Sequence, residues 1–77
     1  MKFEKIEFSH AFYDSYYDTT FYAFNTVPKI GHGNWAISEG GDTAYNLSND
    51  HVTQSDFPTE LVQLIEYIPD DPEIEVY

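Results

Sequence analysis

The chain has no cysteine and no arginine, and after Lys29 it has no lysine either. Without cysteine there are no disulfide staples and no thiolate metal sites, so 77 residues must hold together through packing alone. That packing is limited, since a chain of this size buries only about 60% of the surface its unfolded form exposes. Long apolar runs are missing too: nothing approaches the roughly 20 residues that span a bilayer. The opening Met1, Lys2, Phe3, Glu4 and Lys5 lack the apolar stretch of a signal peptide. A cytoplasmic protein without membrane contact is the expectation.

The missing cations also shape the field of the molecule. Residues 1–29 carry four acids against three lysines, whereas residues 30–77 carry ten carboxylates: Glu39, Asp42, Asp50, Asp56, Glu60, Glu66, Asp70, Asp71, Glu73 and Glu75. The formal net charge is −11. No Lys or Arg ion pair can form within residues 30–77, and folding crowds like charge at a cost to the compact state. A surface of this sign repels nucleic acid and anionic lipid, which disfavours direct binding to either, so no nucleic-acid or membrane binding is expected, and a basic partner is favoured.

What the chain does have is aromatic. Six Phe, seven Tyr and one Trp make 18% of the residues, within a hydrophobic fraction of 42%. This is too apolar for a disordered acidic tail, and each ring buries a large area. A single folded acidic domain over residues 1–77 is expected.

The local pattern predicts a small antiparallel sheet over about residues 3–47. Residues 5–13 alternate, with Ile6, Phe8, His10 and Phe12 on one face, as a half-buried strand requires. Thr19–Phe24 is β-branched and aromatic and forms the second strand, with either Phe21/Ala23 or Tyr22/Phe24 inward, or both faces covered. Trp35 and Ile37 share a face, Glu39-Gly40-Gly41-Asp42 marks a hairpin turn, and Thr43–Leu47 returns with Tyr45 and Leu47 on the same apolar face. Ser48–Gln54 is polar and expected to be irregular. Leu61, Leu64, Ile65 and Ile68 recur at helical spacing, so an α-helix is predicted over 58–68, between Pro58 and Pro69 and packed on Trp35 and Ile37. An acidic extended tail, 69–77, completes an α+β fold of two hairpins and one C-terminal helix.

Catalytic and cofactor chemistry find little support. Gly31-His32-Gly33-Asn34-Trp35-Ala36 matches the dinucleotide fingerprint in letters, but a strand rather than a helix follows it. His10, His32 and His51 match no compact metal-ligand spacing, and no calcium-loop pattern occurs. No nucleophile elbow is present. The expectation is a non-enzyme with no cofactor and no metal.

Two residue groups suit a protein partner. In an extended tail, Asp71, Glu73 and Glu75 would stand about 6.5–7 Å apart on one side, docked through Ile74 and Val76. Asp56, Glu60, Glu66, Asp70, Glu39 and Asp42 add to that acidic set, which can stand in for phosphates before a basic groove. Tyr16 and Tyr17 are candidate aromatic anchors, since Tyr is enriched in interfaces and rings beside carboxylates accept cations. Phe8, Phe12, Phe21 and Trp35 read as core, and Tyr22 fits either role. In size, acidity and aromatic content the chain resembles small phage-encoded inhibitors and DNA mimics, a likeness of composition that carries no motif and no residues. It implies an inhibitor of the anti-restriction or anti-CRISPR kind, whose target is a basic, nucleic-acid-binding protein: a defence nuclease, a DNA-repair protein or a transcription protein. The alternative is a regulatory module of antitoxin or immunity type that binds a basic partner without copying DNA. A homodimer stays open.

Overall fold

The computed structural model of the chain describes residues 2–31 and 33–76. The fold is mainly β. Six strands, Lys5–Asp14 (β1), Thr19–Val27 (β2), Trp35–Ser38 (β3), Ala44–Asn46 (β4), His51–Thr53 (β5) and Ile74–Val76 (β6), form one mixed sheet of order β5-β4-β3-β2-β1-β6. Strands β1 to β5 run as an antiparallel meander, and β6 returns parallel to β1.

The predicted α+β arrangement is therefore corrected in three places. The helix is a 3-10 helix over Thr59–Tyr67, not an α-helix over 58–68. The sheet has six strands rather than four, because His51–Thr53, expected to be irregular, pairs with β4. The tail is not a free extension: Ile74–Val76 pairs with Ala11, Phe12 and Tyr13 of β1.

Each correction has a physical reason. Leu61 and Leu64 are three apart, a spacing that serves a helix of 3.0 residues per turn as well as one of 3.6. The end bonds, Leu61 N–H to Pro58 O and Ile68 N–H to Ile65 O, are both of the i to i+3 kind. Nine residues reach about 18 Å as a 3-10 helix against about 13.5 Å as an α-helix, and this segment links the β5 edge to the opposite, β6 edge. At the tail, the parallel pairing satisfies backbone groups, which holds β6 without burying its side chains: Ile74 is 43% and Val76 76% exposed.

The helix face of the sheet carries the larger core. Ile30, Ile37, Ala44, Leu61 and Leu64 are buried together, with Phe3, Ile6, Phe24, Trp35, Phe57 and Ile65 packed around them. The opposite face holds Phe12, Phe21, Ala23 and Ala36, with Tyr45 and Val52 beside them. Phe21, Tyr22 and Ala23 are all buried, so both faces of β2 are covered.

Residue 9 divides β1 between these faces. Phe8 pairs with Phe24 and His10 with Ala23, so one residue, Ser9, bulges out of register. Adjacent Ala23 and Phe24 point to opposite sides. Ile6 and Phe8 thus face the helix while His10 and Phe12 face away, correcting the single face expected from alternation. A second correction concerns β4: Trp35 pairs with Asn46, Ala36 with Tyr45 and Ile37 with Ala44. A hairpin of this register matches odd-numbered with even-numbered residues, so Tyr45 lies opposite the face of Trp35 and Ile37.

Candidate functional site

The face turned away from the helix gathers its aromatic rings at one place. Phe12 on β1 and Tyr45 on β4 would lie about 14 Å apart across three flat strand spacings. Their ring centroids are 5.5 Å apart and meet edge to face, and Phe21 meets Tyr45 in the same manner at 5.4 Å. The two side chains lean toward each other over the small, buried Ala36 and Ala23, which stand in register with Tyr45 on β3 and β2. His10 stacks on Phe12 at 5.8 Å. The resulting groove has a volume of about 390 Å³ and is lined by His10, Phe12, Asp14, Ser15, Tyr45 and Leu47.

Two turns of the same construction frame this groove. Tyr13-Asp14-Ser15-Tyr16-Tyr17-Asp18 joins β1 to β2, and Tyr45-Asn46-Leu47-Ser48-Asn49-Asp50 joins β4 to β5. In the first, Asp14 Oδ1 accepts from the Tyr16 and Tyr17 amides at 2.9 and 3.3 Å. In the second, Asn46 Oδ1 accepts from the Ser48 amide at 3.0 Å. Each four-residue loop ends on an aspartate in the left-handed region, Asp18 at φ 50° and Asp50 at φ 54°, a conformation that Asp and Asn tolerate best among non-glycine residues. Each preceding tyrosine donates its hydroxyl to that aspartate, Tyr13 to Asp18 and Tyr45 to Asp50. The sequence reads as free of repeats, yet Tyr-Asx-x-x-x-Asp recurs at 13–18 and 45–50, too short and too degenerate a pattern to stand out before the two turns are seen.

These bonds set the phenol chemistry. The hydrogen bond to Asp50, then burial, then the charges of Asp50 and Asp14 and the nearby Tyr17 push the Tyr45 phenol up from 10.0 to about 12. Tyr13 is raised in the same direction, first by its hydrogen bond to Asp18. Tyr22 is raised by burial and then by the charge of Glu39.

The predicted partner-binding residues fall into two groups. Tyr16 and Tyr17 sit in the first turn, 85% and 47% exposed, their rings edge to face at 4.8 Å. Tyr17 is close enough to the Tyr45 phenol to raise its pKa, which ties these tyrosines to the groove mouth. The other group follows the chain across the helix face and around the β1 edge. Asp56 precedes the 3-10 helix, Glu60 and Glu66 lie on it, Asp70 and Asp71 form a bend after it, Glu73 leads into β6 and Glu75 lies within it, opposite Phe12. The carboxylates of Asp56, Glu60, Glu66, Asp70, Asp71 and Glu73 have no ion-pair or hydrogen-bond partner among the described residues; the Asp56 amide donates to Thr53 Oγ1 at 3.1 Å.

The turn holding Glu39 and Asp42 closes onto the same helix: a Cβ added at Gly41 would lie 2.9 Å from Ile65 Cδ1. Glu39 is exposed, whereas Asp42 is committed to the turn, accepting from Ser38 Oγ at 3.1 Å and Thr43 Oγ1 at 3.3 Å. Asp14 and Tyr45 carry no signal of their place at the groove in the sequence, because it depends on the register of β4, β3 and β2.

Among the described residues, no group of three or more His, Cys, Asp or Glu could hold a metal ion, and no helix is long and apolar enough to cross a membrane. His32, weighed as a ligand, lies outside the described residues. Compared with protein families, with curated proteins and with solved structures, the chain matches none.

Proposed function

We propose that this protein is a stoichiometric inhibitor that occupies the nucleic-acid-binding groove of a basic protein, its carboxylates taking the place of phosphates. The observation that carries this reading is the set of carboxylates of Asp56, Glu60, Glu66, Asp70, Asp71 and Glu73, without a hydrogen-bond or ion-pair partner among the described residues and following the chain from the 3-10 helix to the β6 edge. Leaving so many like charges uncompensated costs stability. An external cationic surface offsets that cost, steers association and selects against acidic or neutral partners. Exposed Tyr16 and Tyr17 provide rigid contact area of the kind that dominates binding energy.

The test is competition on a target recovered by affinity capture from bacterial lysate. A groove-occupying inhibitor and the target's own nucleic acid exclude each other. Formation of a ternary complex refutes the proposal and leaves a regulatory module that binds the basic partner elsewhere.

A further inference from the structure

The groove on the open sheet face does not belong to the carboxylate path, and its lining points to a different contact. We propose that it receives an arginine side chain of the basic partner. The inference rests on the reading of the protein as a ligand for a basic protein, and it names which feature of that partner this face takes.

Volume, walls and charge all bear on the occupant. About 390 Å³ lies at the small end of ligand sites, which run from about 300 to 1,000 Å³, and has room for an arginine side chain with part of the partner's adjoining backbone. Its walls are aromatic: Phe12 and Tyr45 meet at 5.5 Å, with His10 against Phe12. Ring faces attract cations, and a planar, weakly hydrated guanidinium stacks on them better than an ammonium does. Asp14 supplies the charge. Its Oδ1 is held by the Tyr16 and Tyr17 amides, which fixes the carboxylate in the groove wall and leaves Oδ2 for a ligand. Asp50, bonded to the Tyr45 hydroxyl, places a second carboxylate beside the same ring. Phosphate or nucleobase ligands are disfavoured by these acids and by the net charge of −11. Leu47, 37% exposed, closes the far side against the alkyl stem of an arginine.

The experiment uses the full chain, isotope-labelled, titrated with acetyl-Gly-Arg-Gly-amide and separately with its lysine counterpart, followed by nuclear magnetic resonance. The arginine peptide is expected to shift side-chain signals of His10, Phe12, Tyr45 and Leu47, and to half-saturate them at a several-fold lower concentration than the lysine peptide. Asp14→Asn keeps an acceptor for the turn amides but removes the charge, and should weaken arginine binding about tenfold, as loss of a charge-assisted hydrogen bond does. Leu47→Lys, at an exposed rim position, should abolish it. Equal responses to the two peptides, or shifts confined to Glu60–Glu75, overturn the proposal. The peptides need no macromolecular partner, so the two readings fail separately. A silent groove with intact nucleic-acid competition discards the arginine site alone, and a responsive groove without competition discards the inhibitor reading alone.

Discussion

Tyr45 is where the chemistry of the open face converges. Its ring completes the aromatic cluster with Phe12 and Phe21, and its hydroxyl ends on Asp50 beneath the β4–β5 turn. Because the fold favours the neutral phenol, stability from this contact is complete below pH 10.0, the unfolded value, and is lost as pH rises toward the folded value of about 12. Asp50→Asn removes the charge and the anionic acceptor, so Tyr45 should ionise closer to its ordinary pH. An absorbance titration of phenolate, wild type against variant, checks this: one tyrosine should move to lower pH. An unchanged curve would mean that Asp50 does not govern Tyr45. At this scale the sequence was partly legible. Tyr16 and Tyr17 lie between the two strands expected over 5–13 and 19–24 and are exposed there, but the pairing of tyrosines with aspartates five residues on depends on left-handed backbone at Asp18 and Asp50 that composition does not display.

The 3-10 helix and the β3–β4 turn are the elements on which the larger core depends. Leu64 is 2% exposed within the cluster of Ile30, Ile37, Ala44 and Leu61. Leu64→Ala should cost about 2–5 kcal/mol, the usual range for a buried truncation; a loss below about 0.5 kcal/mol in denaturant unfolding, as for surface sites, would contradict the packing. The two glycines of the turn should behave differently. Gly41 has φ +76° and would put a Cβ 2.9 Å from Ile65 Cδ1, whereas a Cβ at Gly40 meets the Asp42 side chain at ordinary contact distances, 3.5 Å to Oδ1 and 3.9 Å to Cγ. Gly41→Ala should therefore cost about 1–2 kcal/mol from the left-handed backbone alone, and Gly40→Ala about 0.5 kcal/mol or less. Equal losses would show that the turn is built otherwise. The hairpin at Glu39–Asp42 and the packing of the Leu61/Leu64 segment on Ile37 were readable because turn glycines and buried leucines are local signals. The helix type, the short strands β5 and β6, and the bulge at Ser9 were not, since each is settled by pairing with residues distant in sequence.

For the molecule as a whole, charge is the dominant fact. With −11 spread over 77 residues, and the ion pair Lys5–Glu7 at 3.4 Å lying on the exposed surface, little internal attraction offsets the repulsion. The thermal midpoint should rise as salt is added toward the ionic strength where the Debye length is about 8 Å, measured with a weakly interacting salt. A midpoint that falls instead would mean that attractive pairs outweigh repulsion. The charge asymmetry was fully legible in the sequence. The aromatic groove was not, because it follows from strand register: the pairing of Tyr45 with Ala36, and of Ala36 with Ala23, lets the Tyr45 ring reach Phe12 and Phe21. In the proposed inhibitor, the acidic residues from Asp56 to Glu73 replace phosphates on a basic partner. The most direct measurement is the captured target's affinity for its own nucleic acid, with and without a saturating concentration of this protein. The expected result is mutual exclusion, with nucleic acid released as the protein binds. An unchanged affinity while the protein stays bound would contradict the claim.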